Sequence, residues 1–142
     1  MATKSHSCRP SAADDAVLVT ESPLSLEAAV RRVQSPESGA LAVFLGVVRG
    51  IERGRPILSI TYEAYQGMAD RQLCKIARQA GERWNSEVAV SHRTGRVPVG
   101  ESSLVVACSS AHRREAFEAC RFVVDQIKAR VMIWKVEYEW VN

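Results

Sequence analysis

A chain of 142 residues, 46% hydrophobic and 25% charged, is long enough for one domain with a real core and has the composition of a soluble globular protein. Its net charge of +3 is too small to argue for nucleic acid by itself. No apolar run approaches the roughly 20 residues of a membrane span, and residues 1–15 (MATKSHSCRPSAADD) lack the apolar core of a secretory signal. Residues 1–14 are therefore expected to be a flexible N-terminal tail, residues 15–142 a single domain, and the location cytoplasmic.

Residues 16–20 form a short apolar run that predicts a strand. Ser22-Pro23 reads as an N-cap followed by proline at the first helical position, with a helix continuing through Leu26, Ala29, Val30 and Val33. The stretch 35–39 (SPESG) breaks it. Residues 40–48 are nearly all apolar, which predicts a strand buried on both faces, with Gly46 marking a bulge or a close backbone approach. Residues 49–55 (RGIERGR) are glycine-rich and basic and predict a mobile loop.

Residues 57–65 alternate, with Leu58, Ile60, Tyr62 and Ala64 on one face. Helical spacing of Leu73, Ile76, Ala77, Ala80 and Trp84 predicts a helix over 68–84. A strand over 88–92, a turn region from Gly95 to Gly100 and a buried strand over 104–108 follow. A long helix from about 113 to 130 leads into a final strand, 132–140. On that strand regular alternation puts Met132, Trp134, Val136, Tyr138 and Trp140 on one face and Ile133, Lys135, Glu137 and Glu139 on the other. Hairpin-joined strands alternating with helices argue for an α+β class, a two-layer α/β sandwich with a mostly antiparallel sheet.

The chemistry-bearing residues cluster late in the chain. His112-Arg113 opens a helix after a buried strand, where free N–H groups and the helix dipole favour anions; a plain solvated helix start fits the same residues. Lys128 borders the stripe Phe117, Cys120, Val124 and Ile127. A lysine held against apolar surface gives up its proton more easily, although a snorkelling lysine with its amine in water reads the same way. Lys135 is either a solvent-face strand residue or a further site cation, and Arg49 either an edge charge or an anion ligand. His92 reads as a satisfied strand histidine. No Cys/His spacing suggests a metal, and Cys108 and Cys120 sit in apolar stretches as reduced core residues, with no disulfide framework expected. Nothing matches a Ser-His-Asp order, a P-loop or a GxGxxG turn.

In this order the segments resemble the large, catalytic subunit of molybdopterin synthase. The matching pieces are Phe44-Leu45-Gly46-Val47-Val48-Arg49; 58–65 followed by Gly67-Met68; His92-Arg93-Thr94-Gly95 with Gly100-Glu101; Ser110-Ala111-His112-Arg113 with Ala116-Phe117-Glu118-Ala119; and Lys128 with Trp134-Lys135. Met132 stands where that family usually has proline, and many of its members continue beyond the position of Asn142. The resemblance spans about residues 16 to 137. It implies the family's α/β-hammerhead arrangement and a sulfur transferase whose catalytic domain is residues 15–142. Its substrate is cyclic pyranopterin monophosphate (precursor Z), which becomes the dithiolene of molybdopterin. Its partner is a small ubiquitin-like sulfur carrier with a C-terminal Gly-Gly thiocarboxylate, bound to a homodimer within a heterotetramer. The resemblance further implies Lys128 and Lys135 as catalytic residues, Arg49, His112, Arg113 and Phe44 as substrate-binding residues, no cofactor and no metal, and no nucleic-acid or membrane partner. Two rivals are a persulfide carrier using Cys108 or Cys120, whose apolar settings argue against a reactive thiolate, and a non-catalytic anion- or RNA-binding α+β module, which would show salt-dependent oligonucleotide affinity and exposed stacking aromatics.

Overall fold

The computed structural model describes residues 16–65 and 67–142. The elements are β1 (Val17–Thr20), α1 (Leu26–Val33), β2 (Ala40–Val47), β3 (Ile51–Glu52), β4 (Arg55–Ala64), α2 (Met68–Trp84), β5 (Glu87–Arg93), β6 (Gly95–Pro98), β7 (Ser102–Ser110), α3 (Arg113–Arg130) and β8 (Ile133–Trp140). The expected tail, 1–14, lies outside the described residues. The α+β class is observed, with its strands divided between two sheets. The first runs β1-β5-β7-β2, all antiparallel except the β1–β5 pair. In the second, β4 pairs antiparallel with β3, β6 and β8.

Two helices cover one face of the first sheet. Leu73, Ile76, Ala77 and Ala80 of α2 and Ala116, Ala119, Cys120, Val123 and Ile127 of α3 pack on Val88, Val90, Leu104, Val106 and Cys108. Their spacing of three and four places one apolar stripe on each helix, and burial of those stripes drives the layer together. On α3 the stripe is shifted from the expected one: Phe117 is 65% exposed and Ala116 and Val123 are inside. On the other face of the sheet, Ala29 and Val33 of α1 meet Ala89, Val105 and Ala107. That helix begins later than Ser22-Pro23 suggested, because Ser25 is the N-cap and its Oγ accepts the Ala28 N–H at 3.1 Å. A third cluster, Val48, Ile57, Ile60, Tyr62 and Val97, closes the second sheet.

Three sequence expectations change for identifiable reasons. β2 is an edge strand, and only Ala40, Ala42 and Phe44 pack on the core, while Leu41, Val43, Leu45 and Val47 are exposed. The basic loop is a tight hairpin. Arg53 (φ 52°) and Gly54 (φ 75°) provide the two positive φ angles of a two-residue turn, and Arg53 and Arg55 lie over the rings of Tyr138 and Trp140 at 5.7 and 4.1 Å. Third, β4 and β8 both slip register. The β4 slip lies between Ile57 and Ser59, so Ile57 is buried and Leu58 exposed. On β8, Tyr62 pairs with Lys135 and Thr61 with Glu137, leaving Val136 as the extra residue of a bulge. A bulge reverses the alternation. Ile133 and Lys135 therefore share the inner face with Tyr138 and Trp140, and Trp134 turns outward with Glu137 and Glu139.

Gly39, at the entrance to β2, is set against Ala111: a Cβ there would lie 2.5 Å from the Ala111 carbonyl oxygen, whereas one on Gly50 would meet only Val99 Cγ1 at 3.5 Å. We expect Gly39→Ala to cost about 2 kcal/mol, the scale of overpacking, and Gly50→Ala to stay within about 0.5 kcal/mol of wild type. Urea denaturation of both variants checks this; equal midpoints would contradict it.

Candidate active site

A cleft of about 390 Å³ opens where the two sheets meet, within the usual size of a small-molecule site. Each wall follows from a chain crossing. β2 ends into the cleft with Gly46, Val47, Val48 and Arg49, and Glu52 of the hairpin follows. Ile60 and Tyr62 of β4, His92 of β5, and Ser103 and Leu104 of β7 form the floor. The last turn of α3 and the start of β8 complete it with Ile127, Lys128, Val131, Ile133, Trp134 and Lys135. Gly46 works by being small: a Cβ there would come within 3.3 Å of both Leu104 Cβ and Phe44 Cε2.

Arg49, Lys128 and Lys135 are brought together. All three are exposed, and none takes part in an ion pair among the described residues. The apolar stripe beside it predicts a Lys128 held against apolar surface; its side chain is instead open at the cleft mouth, placed there by the end of the helix. Lys135 enters the cleft because of the Val136 bulge. Three cations facing one carboxylate, Glu52, leave a surplus of N–H donors that an anionic ligand satisfies.

The other expected site residues lie elsewhere in the single chain. His112 is the N-cap of α3, without a side-chain capping bond, and Arg113 is its first residue. Lys128 is sixteen residues after His112, so about 24 Å of helix separates them. Phe44 packs into the core behind Gly46 and does not line the cleft.

The seam around the cleft is fixed by polar contacts. Arg93, 11% exposed at its side chain, donates from Nη1 to Glu101 Oε1 at 2.7 Å and from Nε to the Glu21 carbonyl at 3.2 Å. Glu101 O accepts the Val48 N–H at 3.0 Å, and Gly100 N–H returns a bond to Val48 O at 2.9 Å. Arg49 is the next residue. On the other side, Gln72 of α2 clamps the α3–β8 turn: Nε2 donates to Arg130 O at 3.0 Å and Oε1 accepts the Met132 N–H at 2.8 Å. Proline at 132 has no N–H to give, so methionine at this position is what allows the second bond.

His92 is the cleft residue that sequence reasoning passed over. It is 7% exposed, its Nδ1 lies 3.0 Å from Arg93 O, and its ring meets Tyr62 edge-on at 5.6 Å. Burial, with a further contribution from the charge of Lys128, lowers its pKa below the ordinary 6.5. Its neighbours Ser91 and Arg93 give no such signal; only the motif His92-Arg93-Thr94-Gly95 marks the region.

The rival thiol chemistry lacks an accessible thiol. Cys108 and Cys120 are free and buried; the hydrogen bond between them, with burial, pushes the Cys108 thiol far up, and the same hydrogen bond lowers that of Cys120, which is nonetheless shut away from solvent at 7% exposure. Cys74, on α2, is disulfide-bonded, which differs from the expectation of a chain without disulfides. The described residues contain no cluster able to hold a metal ion and no helix long and apolar enough to cross a membrane.

Residues 19–130 match the family model described as MoaE protein. The chain belongs to this family. Relatives named molybdopterin synthase catalytic subunit include one from a plant and one from Thermoplasma. The one from Arabidopsis thaliana is 45% identical over 74% of this chain and 54% of its own length. The one from Thermoplasma volcanium is 42% identical over 84% of this chain and 88% of its own length. The chain thus spans about half of the plant relative and most of the archaeal one. Among solved structures, molybdopterin synthase from Staphylococcus aureus superposes with a TM-score of 0.81 at 27% identity, covering 88% of this chain and 96% of that one. The MoaE match contains Arg49, His92, His112, Arg113 and Lys128, and stops short of Lys135.

The lowered His92 pKa has a signed consequence for this MoaE chain. Below 6.5 the unfolded chain binds a proton that the folded chain refuses, so His92 contributes stability above 6.5 that is lost as pH falls through the folded-state value. We expect unfolding free energy to drop between about pH 7 and pH 5, and His92→Gln to flatten that slope. Urea titrations across the range check it; identical slopes in both proteins would contradict it.

Proposed function

We propose that this chain is the catalytic subunit of a molybdopterin synthase. In this reading it moves sulfur from the C-terminal thiocarboxylate of a small ubiquitin-like carrier to cyclic pyranopterin monophosphate, forming the dithiolene of molybdopterin in the cytoplasm. The observation that carries the reading is the cleft itself, with three cations that have no ion-pair partner among the described residues gathered at the seam of a MoaE fold. Both reactants are anions. A phosphate and a thiocarboxylate brought into one site repel each other, and a surplus of positive charge offsets that repulsion. Residues 15–142 then act as the catalytic domain, and the cysteines are not needed because sulfur arrives on the carrier.

Within the cleft, Arg49 holds the substrate phosphate through its planar fork of donors. Lys128 gives and takes protons during sulfur addition, and Lys135, aimed inward by the bulge, holds the thiocarboxylate and shares the proton transfers. We expect Lys128→Ala to lower kcat by at least about 100-fold, the low end of general acid–base contributions. Arg49→Ala should instead raise KM by about 10-fold or more, the equivalent of one charge-assisted hydrogen bond. Assays with precursor Z and thiocarboxylated carrier check both; near-normal turnover in Lys128→Ala would remove it from the chemistry.

The homodimer belongs to the same reading. β2 is the edge of the first sheet and exposes a row of Leu41, Val43, Leu45 and Val47. An uncovered apolar edge strand is an aggregation hazard, and a second copy covers it. A second copy also resolves the separation along α3, because His112 and Arg113 reach a phosphate beside Lys128 only from the other subunit. We expect Val43→Lys to shift the protein toward monomer in sedimentation. Mixing inactive Lys128→Ala with inactive His112→Ala/Arg113→Ala should restore about a quarter of wild-type activity, since half of the random dimers carry one intact site. No recovery from a freely exchanging mixture would place His112 and Arg113 outside the site.

A further inference from the structure

The cleft is rich in donors and poor in acceptors; besides the Glu52 carboxylate at the hairpin, His92 is the titratable group in its lining that can accept. The main-chain carbonyl of Arg93 can only accept, so the His92 Nδ1 at 3.0 Å must carry the ring proton. In the neutral ring that leaves Nε2 bare. The imidazole is 7% exposed, braced edge-on by Tyr62 of β4 at 5.6 Å, and its remaining surface belongs to the cleft that Lys128 of α3 also lines. The other titratable groups facing the cleft are Lys135 of β8, Arg49 after β2, and Glu52 of β3. Arg93, next in the chain, is turned away toward Glu101.

We propose that His92 is a positioning residue for Lys128, its fixed neutral imidazole presenting Nε2 to the cleft as the hydrogen-bond acceptor that orients the lysine ammonium. A lysine on the last turn of a helix has a flexible four-carbon stem and many rotamers. A rigid acceptor in the wall selects among them, and selection of geometry is worth large factors in rate. The depressed ionisation of His92 fits this task, because a protonated ring would have no lone pair to offer and would add a fourth cation to the cleft. The role rests on the proposed sulfur-transfer reading only for its effect on rate; the pairing with Lys128 stands or falls by itself.

The test has two arms on the full-length protein. In the first, the imidazole nitrogens of His92 are followed by NMR in ¹⁵N-histidine-labelled wild type and Lys128→Met. We expect a protonated Nδ1 and bare Nε2 at neutral pH, ionisation below 6.5, and an upward move of that ionisation when the Lys128 charge is removed. A proton on Nε2, or a titration indifferent to Lys128→Met, overturns the proposal. In the second, molybdopterin formation is measured against pH with saturating carrier. His92→Gln, which keeps an acceptor near the Nε2 position, should retain most of kcat and lose the wild-type fall in rate below pH 6.5. His92→Phe, which keeps the ring and its contact with Tyr62, should lose about tenfold or more in kcat with KM little changed. Equal rates and equal pH profiles in the two variants, at matched thermal stability, would reduce His92 to packing and overturn the proposal. A wild-type protein that makes no product while the first arm gives the expected titrations would overturn the sulfur-transfer reading and leave the His92–Lys128 pairing intact.

Discussion

The contact on which the site depends is the ion pair of Arg93 with Glu101. The two sheets have separate cores, and the chain passes between them after β2, after β4, at both ends of β6 and after α3. Arg93 ends β5 of the first sheet, and Glu101 lies in the turn by which the chain returns from β6 of the second sheet to β7 of the first. Their 2.7 Å bond, and the Arg93 bond to the Glu21 carbonyl, tie β5, the β6–β7 turn and the end of β1 into one knot. Val48 is bonded to the same turn through Gly100 and Glu101. The backbone that presents Arg49 on one edge of the cleft and His92 on its floor is thus held by one arginine. Glu101 is half exposed, so the pair contributes more by fixing geometry than by raising stability.

The second constraint is charge. Arg49, Lys128 and Lys135 repel one another, and the folded chain tolerates this because each remains open to water at the cleft mouth. Filling the cleft with an anion removes that repulsion and converts it into binding energy. His92 complements the arrangement: it is buried where the cations are not, and it stays neutral where they are charged. The cleft therefore separates groups that hold charge from one that accepts a hydrogen bond, using only depth below the surface.

A third feature links the site to assembly. Helix α3 carries functional candidates at both ends, and its length prevents them from meeting in one chain. The same sheet that supports α3 leaves the apolar face of β2 uncovered. Both observations fit the proposed dimer, in which each copy would lend one end of its helix to the other's cleft.

The sequence by itself determined most of the element order. The spacing within 68–84 and 113–130 placed two helices within a residue or two of their observed limits, because long amphipathic periods are set by local geometry. It also determined the family and the three cleft cations, through motifs that keep their order along the chain. Only the tertiary structure decided which faces those residues occupy. Strict alternation put Lys135 with the solvent-facing glutamates, and the bulge at Val136, formed by pairing with β4, turned it inward. Composition made 49–55 a loop, and cross-strand pairing with two positive φ angles made it a hairpin. An apolar run made β2 doubly buried, and its place at the sheet edge exposed half of it. The place of His92 in the cleft beside Lys128 comes from the fold, since the two are 36 residues apart in the chain. Register, edge position and depth arise from contacts distant in sequence, and a local pattern of residue types does not encode them.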